Sequence, residues 1–288
     1  MIAKLRRRRS FKIIGMNSIA TNRHDVAQAA GRLLDRFGHG PLTVLDVWAH
    51  PDDESFLAGG LLAEVARRGG RVVTVVATAG EHGTDDPVAE PPAELARRRV
   101  AELDDAMAAL GAEPAIHLGY RDGACHEVTE HLAAHLIGRI VDDVQPDLIV
   151  TFGPDGVTGH PDHQAVSRWV RRAVADRGDD TPLLTTAAAD AWPHESVEGL
   201  HSIDAFWPGY PVAHPDGDRL VVRLDPDQLD SKLAALSCHA SQMRTVATAL
   251  GVARFVDLAA VECFTAANAA ARRRVEHHQP QELTSTSA

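Results

Sequence analysis

Apolar positions along the chain fall into two alternating rhythms. Residues 25–37 carry Val26, Ala29, Leu33 and Leu34 at helical spacing, and the glycines and proline of 38–41 close the segment. Residues 41–49, PLTVLDVWA, are a short continuous apolar run that suits a strand buried on both faces. Residues 56–69 return to helical spacing through Leu57, Leu61, Leu62, Val65 and Ala66, and residues 71–79 are rich in β-branched side chains. Strand, helix, strand in that order is a βαβ unit, which predicts a parallel sheet with helices on its faces.

The layout then repeats. Helices are expected over 93–110, 130–144 and 161–174, strands over 115–118 and 147–152, a turn over 119–123 and a glycine-rich loop over 153–159. Polar clusters follow the strands: 50–55 leaves the first, and the loop 80–92 leaves the second over the same sheet edge, where ligands of open α/β sheets bind. The expected architecture is α/β, a Rossmann-like three-layer fold with a mostly parallel central sheet. Periodicity weakens over 178–219, which contains Pro182, Pro193, Pro208, Pro211 and Pro215 and reads as an insert that sets specificity. Within it 183–188 and 205–207 are possible strand pieces. Beyond it come a better strand at 220–224, a helix over 229–249, and a last strand or short helical elements over 252–263. The expected organisation is a variable N-terminal extension (1–24), one catalytic domain (25–270) and a polar tail (271–288).

Composition removes several function classes. Against 40 Asp and Glu stand 29 Lys and Arg, a formal net charge of -11, and such a surface repels a phosphate backbone. The basic run at residues 6–9 is too close to the terminus to alter that. Three cysteines, none in a CxxC pair, indicate a reduced compartment, and no window approaches the roughly 20 apolar residues of a membrane span, so a cytoplasmic protein is expected. Neither GxGxxG nor GxxxxGK[ST] spacing occurs, so no nucleotide cofactor is expected.

Two clusters carry chemistry. His50-Pro51-Asp52-Asp53-Glu54 sits where a buried strand gives way to a helix, and three successive acids beside a histidine repel one another unless a cation, donor or proton offsets them. Gly159-His160-Pro161-Asp162-His163 repeats the pattern at another strand exit. Imidazole nitrogen and carboxylate oxygen suit zinc, and a catalytic ion keeps one position open for water. With both loops on one edge, two histidines and one aspartate can share an ion while other groups stay free for acid–base work. Helix capping by Asp and Pro is the plain alternative for either cluster alone, and spacing does not decide which aspartate ligates.

The first cluster, with Ala49 before it, resembles the first signature of the zinc-dependent PIG-L and LmbE-like de-N-acetylases, and the second cluster resembles their second. Residues 98–111, the turn Leu118-Gly119-Tyr120-Arg121-Asp122-Gly123 and residues 232–242 are similar to further family segments, so the likeness spans roughly 41–245. The resemblance implies that His50, Asp53 and His163 hold Zn2+, with other divalent transition metals as alternatives. It makes Asp52 the general base and a protonated His160 the group that polarises the carbonyl or favours its oxyanion. Asp162 would orient a histidine, and Glu54 would hold the first loop or bind substrate. Arg98 or Arg99, Asp122 and His239 are further candidates for substrate or supporting contacts, although Arg98 is also spaced to pair with Glu102. The implied substrate is an N-acylated amino sugar on a small glycoconjugate, cleaved to acetate and a free amine. A bulkier N-acyl amide, or a non-catalytic sugar-binding protein on the same fold, are the competing readings. Trp192, Trp207 and Tyr210 of the insert are candidates to stack on a sugar or cover an acyl chain.

Overall fold

A computed structural model describes residues 29–276 apart from 179, 188–190 and 213–218. The expected N-terminal extension, its basic run and most of the polar tail lie outside the described residues.

Seven strands form one sheet: β1 (Thr43–Trp48), β2 (Arg71–Thr78), β3 (Ile116–Tyr120), β4 (Leu148–Phe152), β5 (Leu183–Thr186), β6 (Arg219–Arg223) and β7 (Val261–Ala266). Their order is β3-β2-β1-β4-β5-β7-β6. The first five are parallel, and β7 runs antiparallel to both β5 and β6. The apolar runs of β1 and β4 are buried because helices cover both faces of the sheet. Helices α2 (Asp53–Arg67), α3 (Pro92–Leu110) and α7 (Pro226–Cys238) pack together, as do α4 (Glu130–Val144) and α5 (Pro161–Arg177). Trp48 meets Phe152 edge to face at 4.9 Å between ring centroids, joining the two central strands.

Several elements differ from the sequence expectation. The described part of the first helix, α1 (Ala30–Leu34), is short, and α2 begins at Asp53, so the acidic cluster is already its first turn. The single helix expected over 229–249 breaks at His239 into α7 and α8 (Ala240–Leu250). Residues 252–263 hold both expected alternatives in succession, α9 (Val252–Ala259) followed by β7. The insert contributes β5 and an unforeseen α6 (His194–His201), whereas 205–207 form no strand. Residues read as the start of the tail are helical, in α10 (Ala269–Glu276). Among the described residues no helix is long and apolar enough to cross a membrane.

The paired glycines of α2 have a packing cause. Glu262 of β7 reaches into the helix and accepts from the backbone N–H of Gly60 at 2.7 Å and of Leu61 at 3.0 Å, and Lys232 Nζ of α7 donates to it at 2.9 Å. A Cβ on Gly60 would meet Leu224 at 2.3 Å, and one on Gly59 would meet the Lys232 stem at 3.2 Å. Burial pulls Lys232 below its ordinary pKa while the ion pair with Glu262 opposes that fall. Lys232→Met strands the Glu262 charge and is expected to cost about 3–5 kcal/mol in urea unfolding. The double change Lys232→Met with Glu262→Gln removes the stranded charge, though the amide can accept only one of the two α2 N–H groups, and should cost less than Lys232→Met alone; equal losses would show that the pairing is not what matters.

Candidate metal and catalytic centre

β1 and β4 are adjacent and parallel, with Val44 opposite Leu148 and Val47 opposite Thr151. The chain leaves β1 toward β2 on one side and leaves β4 toward β5 on the other. Their carboxyl ends therefore open into the crevice at which such sheets bind ligands. His50 leaves β1, and His160 and His163 open α5 after β4, so 113 residues of separation close to 3.1 Å between His50 Nδ1 and His163 Nε2.

Asp53 joins them. Its carboxylate lies 3.6 Å from His50 Nδ1 and 3.4 Å from His163 Nε2, and it also accepts the His50 backbone N–H at 2.8 Å. The two contacts use different oxygens, Oδ2 toward His50 and Oδ1 toward His163, so the carboxylate bridges the two imidazoles and stands near the point where a cation held by both would lie. The orientation of His163 suits a ligand, because Nδ1 faces the Gly156 carbonyl at 2.9 Å, the ring stacks on Phe152 at 4.2 Å, and Nε2 is left toward the cavity.

Behind His50 the charge is strongly negative. Its Nε2 lies 3.1 Å from Asp122 Oδ1 and 3.4 Å from Asp162 Oδ2, near enough for charge pairing though off the line of a hydrogen bond. Burial alone would lower the His50 pKa, but Asp122, Asp162 and Asp53 outweigh it and raise it well above its ordinary value. Burial likewise opposes ionisation of Asp53, yet His163 and His50 bring its pKa to about 2. Asp122 and Asp162 are also held low, against burial, chiefly by His50. Three carboxylates facing one imidazole form a strongly negative set, and a divalent cation bound to the neutral His50 ring would offset it in place of the imidazolium proton. One nitrogen each from His50, His160 and His163 also falls within a 4.8 Å group, as does one atom each from His50, Asp122 and Asp162. His50, Asp53 and His163 all line the main cavity, whereas Asp162 does not.

Asp52 lies beside this set with φ 105°, a region L-residues seldom occupy, and is held there from three sides. Its backbone N–H donates to Glu54 at 3.0 Å, and Arg99 donates to its Oδ2 at 3.2 Å and to the Pro51 carbonyl at 2.6 Å. Burial lifts Asp52 to about 6; Arg99 and His239 pull it down while Asp53 and Glu54 push it up. His160 caps α5 by accepting the Asp162 N–H at Nδ1, 3.1 Å away. That bond leaves no proton on Nδ1, and burial with the neighbouring His50 and His163 lowers its pKa to about 4. The expected protonated His160 is therefore corrected to a neutral ring whose Nε2–H is the available donor.

The remaining candidates separate clearly. Arg99 is buried and ties the first two loops together through Pro51 and the Gly80 carbonyl, whereas the neighbouring Arg98 is partly exposed, pairs with Glu90 and does not line the cavity. The spacing-based pair of Arg98 with Glu102 does not form; Glu102 accepts instead from the backbone N–H and hydroxyl of Ser241. Glu54 and His239 are fully buried away from the cavity and bond each other at 2.8 Å, Glu54 also accepting from Ser55. Asp162 accepts the N–H groups of Gly123 and Cys125, fixing the turn after β3. Asp122 lines the cavity and accepts the His82 N–H at 2.8 Å. Sequence reasoning passed over His82 and Thr158, which line the cavity, because neither lies in a recognisable pattern, and it included Gln242, also in the lining, only as the end of the family-like segment 232–242 without a role.

The insert closes the other side. Trp207 N–H donates to the Thr158 carbonyl at 2.9 Å, and Trp192 and Phe206 line the cavity, while Tyr210 packs on Gly159 and bonds Gln164.

The family model described as PIG-L, GlcNAc-PI de-N-acetylase, matches residues 45–174, the stretch from β1 through most of α5 that holds both clusters. A relative from Mycobacterium sp. (strain KMS), named 1D-myo-inositol 2-acetamido-2-deoxy-alpha-D-glucopyranoside deacetylase, is 32% identical over 234 residues, covering 71% of this chain and 75% of its own. Among solved structures, a pseudoaglycone deacetylase of an antimicrobial reagent shares the fold with TM-score 0.59 at 19% identity, covering 78% of this chain and 97% of its own. The N,N'-diacetylchitobiose deacetylase from Pyrococcus horikoshii does so with TM-score 0.54 at 23% identity, covering 81% and 85%. With both His-Pro-Asp clusters inside the matched stretch, the chain belongs to the PIG-L family of GlcNAc-PI de-N-acetylases.

Proposed function

We propose that this protein hydrolyses the N-acetyl amide of an amino sugar carried on a small glycoconjugate, with His50, Asp53 and His163 holding a zinc ion. The observation that carries the reading is the convergence of those three donors beside a further carboxylate, Asp52, on one cavity of about 380 Å³. The Mycobacterium relative is named for deacetylation of an inositol-linked acetamido sugar, which supports the same bond type here. Binding alone has no need of a base held in strained backbone beside a metal site, and this disfavours a purely sugar-binding role.

Bound by that set, zinc would lower the pKa of a water and polarise the amide carbonyl. Asp52 accepts the proton of the attacking water as its oxygen bonds to the acetyl carbon. His160 Nε2–H donates to the oxygen on which negative charge develops, an interaction stronger in the tetrahedral state than in the planar amide. Asp52 then returns the proton to the departing nitrogen as the C–N bond breaks, giving acetate and the free amine. Arg99 keeps Asp52 ionised and fixes the Pro51 carbonyl, and Asp122 and Asp162 orient His50 from behind.

Asp52→Asn is expected to reduce kcat for acetate release by about 10²–10⁴ while leaving bound metal unchanged by elemental analysis. Retention of activity within a few-fold would remove Asp52 from the role of base. His163→Ala should lose the metal itself; a purified variant with undiminished zinc content would show that the ligand set is wrong. Asp52 must be ionised to act, and Arg99 lowers its pKa, so Arg99→Met raises that pKa and moves the acid limb of the kcat/KM profile to higher pH. A limb that stays in place or moves down would exclude this part of the mechanism.

A further inference from the structure

The cavity is made of two unlike halves. Its polar half comes from the strand exits, through His50, Asp52, Asp122, His160 and His163. Its other half is apolar and comes from α2, the insert and α8: Phe56, Trp192, Leu200, Phe206, Met243 and Val246. All six line the same cavity, and three of them are in series, with Phe56 edge-on to Trp192 at 5.7 Å and Trp192 beside Phe206 at 6.5 Å. Phe56 lies one helical turn after Asp53, so wall and metal donors meet on one face of α2. Beyond Gln242 and the backbone of the β4 loop, this side offers few hydrogen-bonding groups to a hydroxyl-rich substituent. A polyol laid on it would lose water without gaining partners, at a cost for each buried hydroxyl.

Resting on the deacetylase reading above, we propose that the substrate carries an apolar alkyl or aryl substituent that packs against the wall formed by Phe56, Trp192, Leu200, Phe206, Met243 and Val246. The substituent sits either on the sugar's glycosidic oxygen, which leaves the acyl group as acetyl, or in the acyl group, in which case the same amide bond is cleaved but the acid released is larger than acetate; the chemistry of recognition is the same for both. The insert thereby sets specificity while the strand-exit loops set the reaction.

The test compares N-acetylglucosamine glycosides of methanol, n-hexanol, phenol and myo-inositol, together with methyl glycosides bearing N-acetyl or N-hexanoyl groups. A preference in kcat/KM of at least about tenfold for a hexyl, phenyl or hexanoyl compound over its methyl, inositol or acetyl counterpart is expected, since each buried methylene favours binding about fourfold. The arm in which the preference occurs identifies which end of the substrate meets the wall. In Val246→Ser that ratio should fall toward one; being a ratio of two substrates on one preparation, it is insensitive to the folded fraction. Equal or better turnover of the inositol glycoside than of every apolar compound overturns the proposal. If no compound is turned over, the deacetylase reading fails, and calorimetric binding of the same series to the zinc-loaded Asp52→Asn protein decides the wall separately. Tighter binding of the apolar members with negative heat-capacity change supports it, and indifference overturns it.

Discussion

Around His50, three acidic side chains are buried with too little positive charge to neutralise them. Asp53, Asp122 and Asp162 all approach its imidazole, which, together with His163 for Asp53, holds each below the usual carboxylate range against the pressure of burial. Such a cluster needs hydrogen-bond donors and compensating positive charge. The polypeptide supplies the donors in pieces: the His50 N–H to Asp53, the His82 N–H to Asp122, and the N–H groups of Gly123 and Cys125 to Asp162. Loops leaving four different strands are thereby drawn to one point, and the rigid sheet behind them sets their separation.

The candidate catalytic groups are kept distinct by their backbone surroundings. Asp53 is the first residue of α2 and faces the histidines, whereas Asp52, one residue earlier, is turned out of the helix by its positive φ and held by Arg99. His160 and His163 lie on one helix start, yet the first turns Nδ1 to the helix N–H of Asp162 while the second turns Nδ1 to the Gly156 carbonyl and so leaves Nε2 toward the cavity. Adjacent residues of the same type thus acquire different chemistry through hydrogen bonds to the main chain. A cavity with one polar and one apolar half follows from the same division, strand exits on one side and the insert with α8 on the other.

Both His-Pro-Asp clusters, the parallel sheet and the flanking helices were legible because each depends on residues close together in the chain. Apolar runs of strand length and helical spacing report the burial pattern directly, and a polar cluster at the end of such a run must lie at the sheet edge. Arg98 and Arg99 show where that legibility ends. One step along a helix turns a side chain by about 100°, and only the packing of α3 decides which arginine reaches Asp52. The split at His239 was likewise hidden, since the residues on both sides keep helical periodicity and the break is set by the buried bond to Glu54.

The chain's own order determined the reaction-bearing residues and the layered α/β architecture, because ligand type, turn chemistry and hydrophobic period are local properties. Tertiary structure decided the tautomer of His160, the partners of His50, the insertion of Glu262 into α2 and the apolar wall opposite the histidine cluster. Each of those depends on charge or volume shared between segments tens to hundreds of residues apart, and energies of that kind exist only after the segments have been brought into a low-dielectric interior.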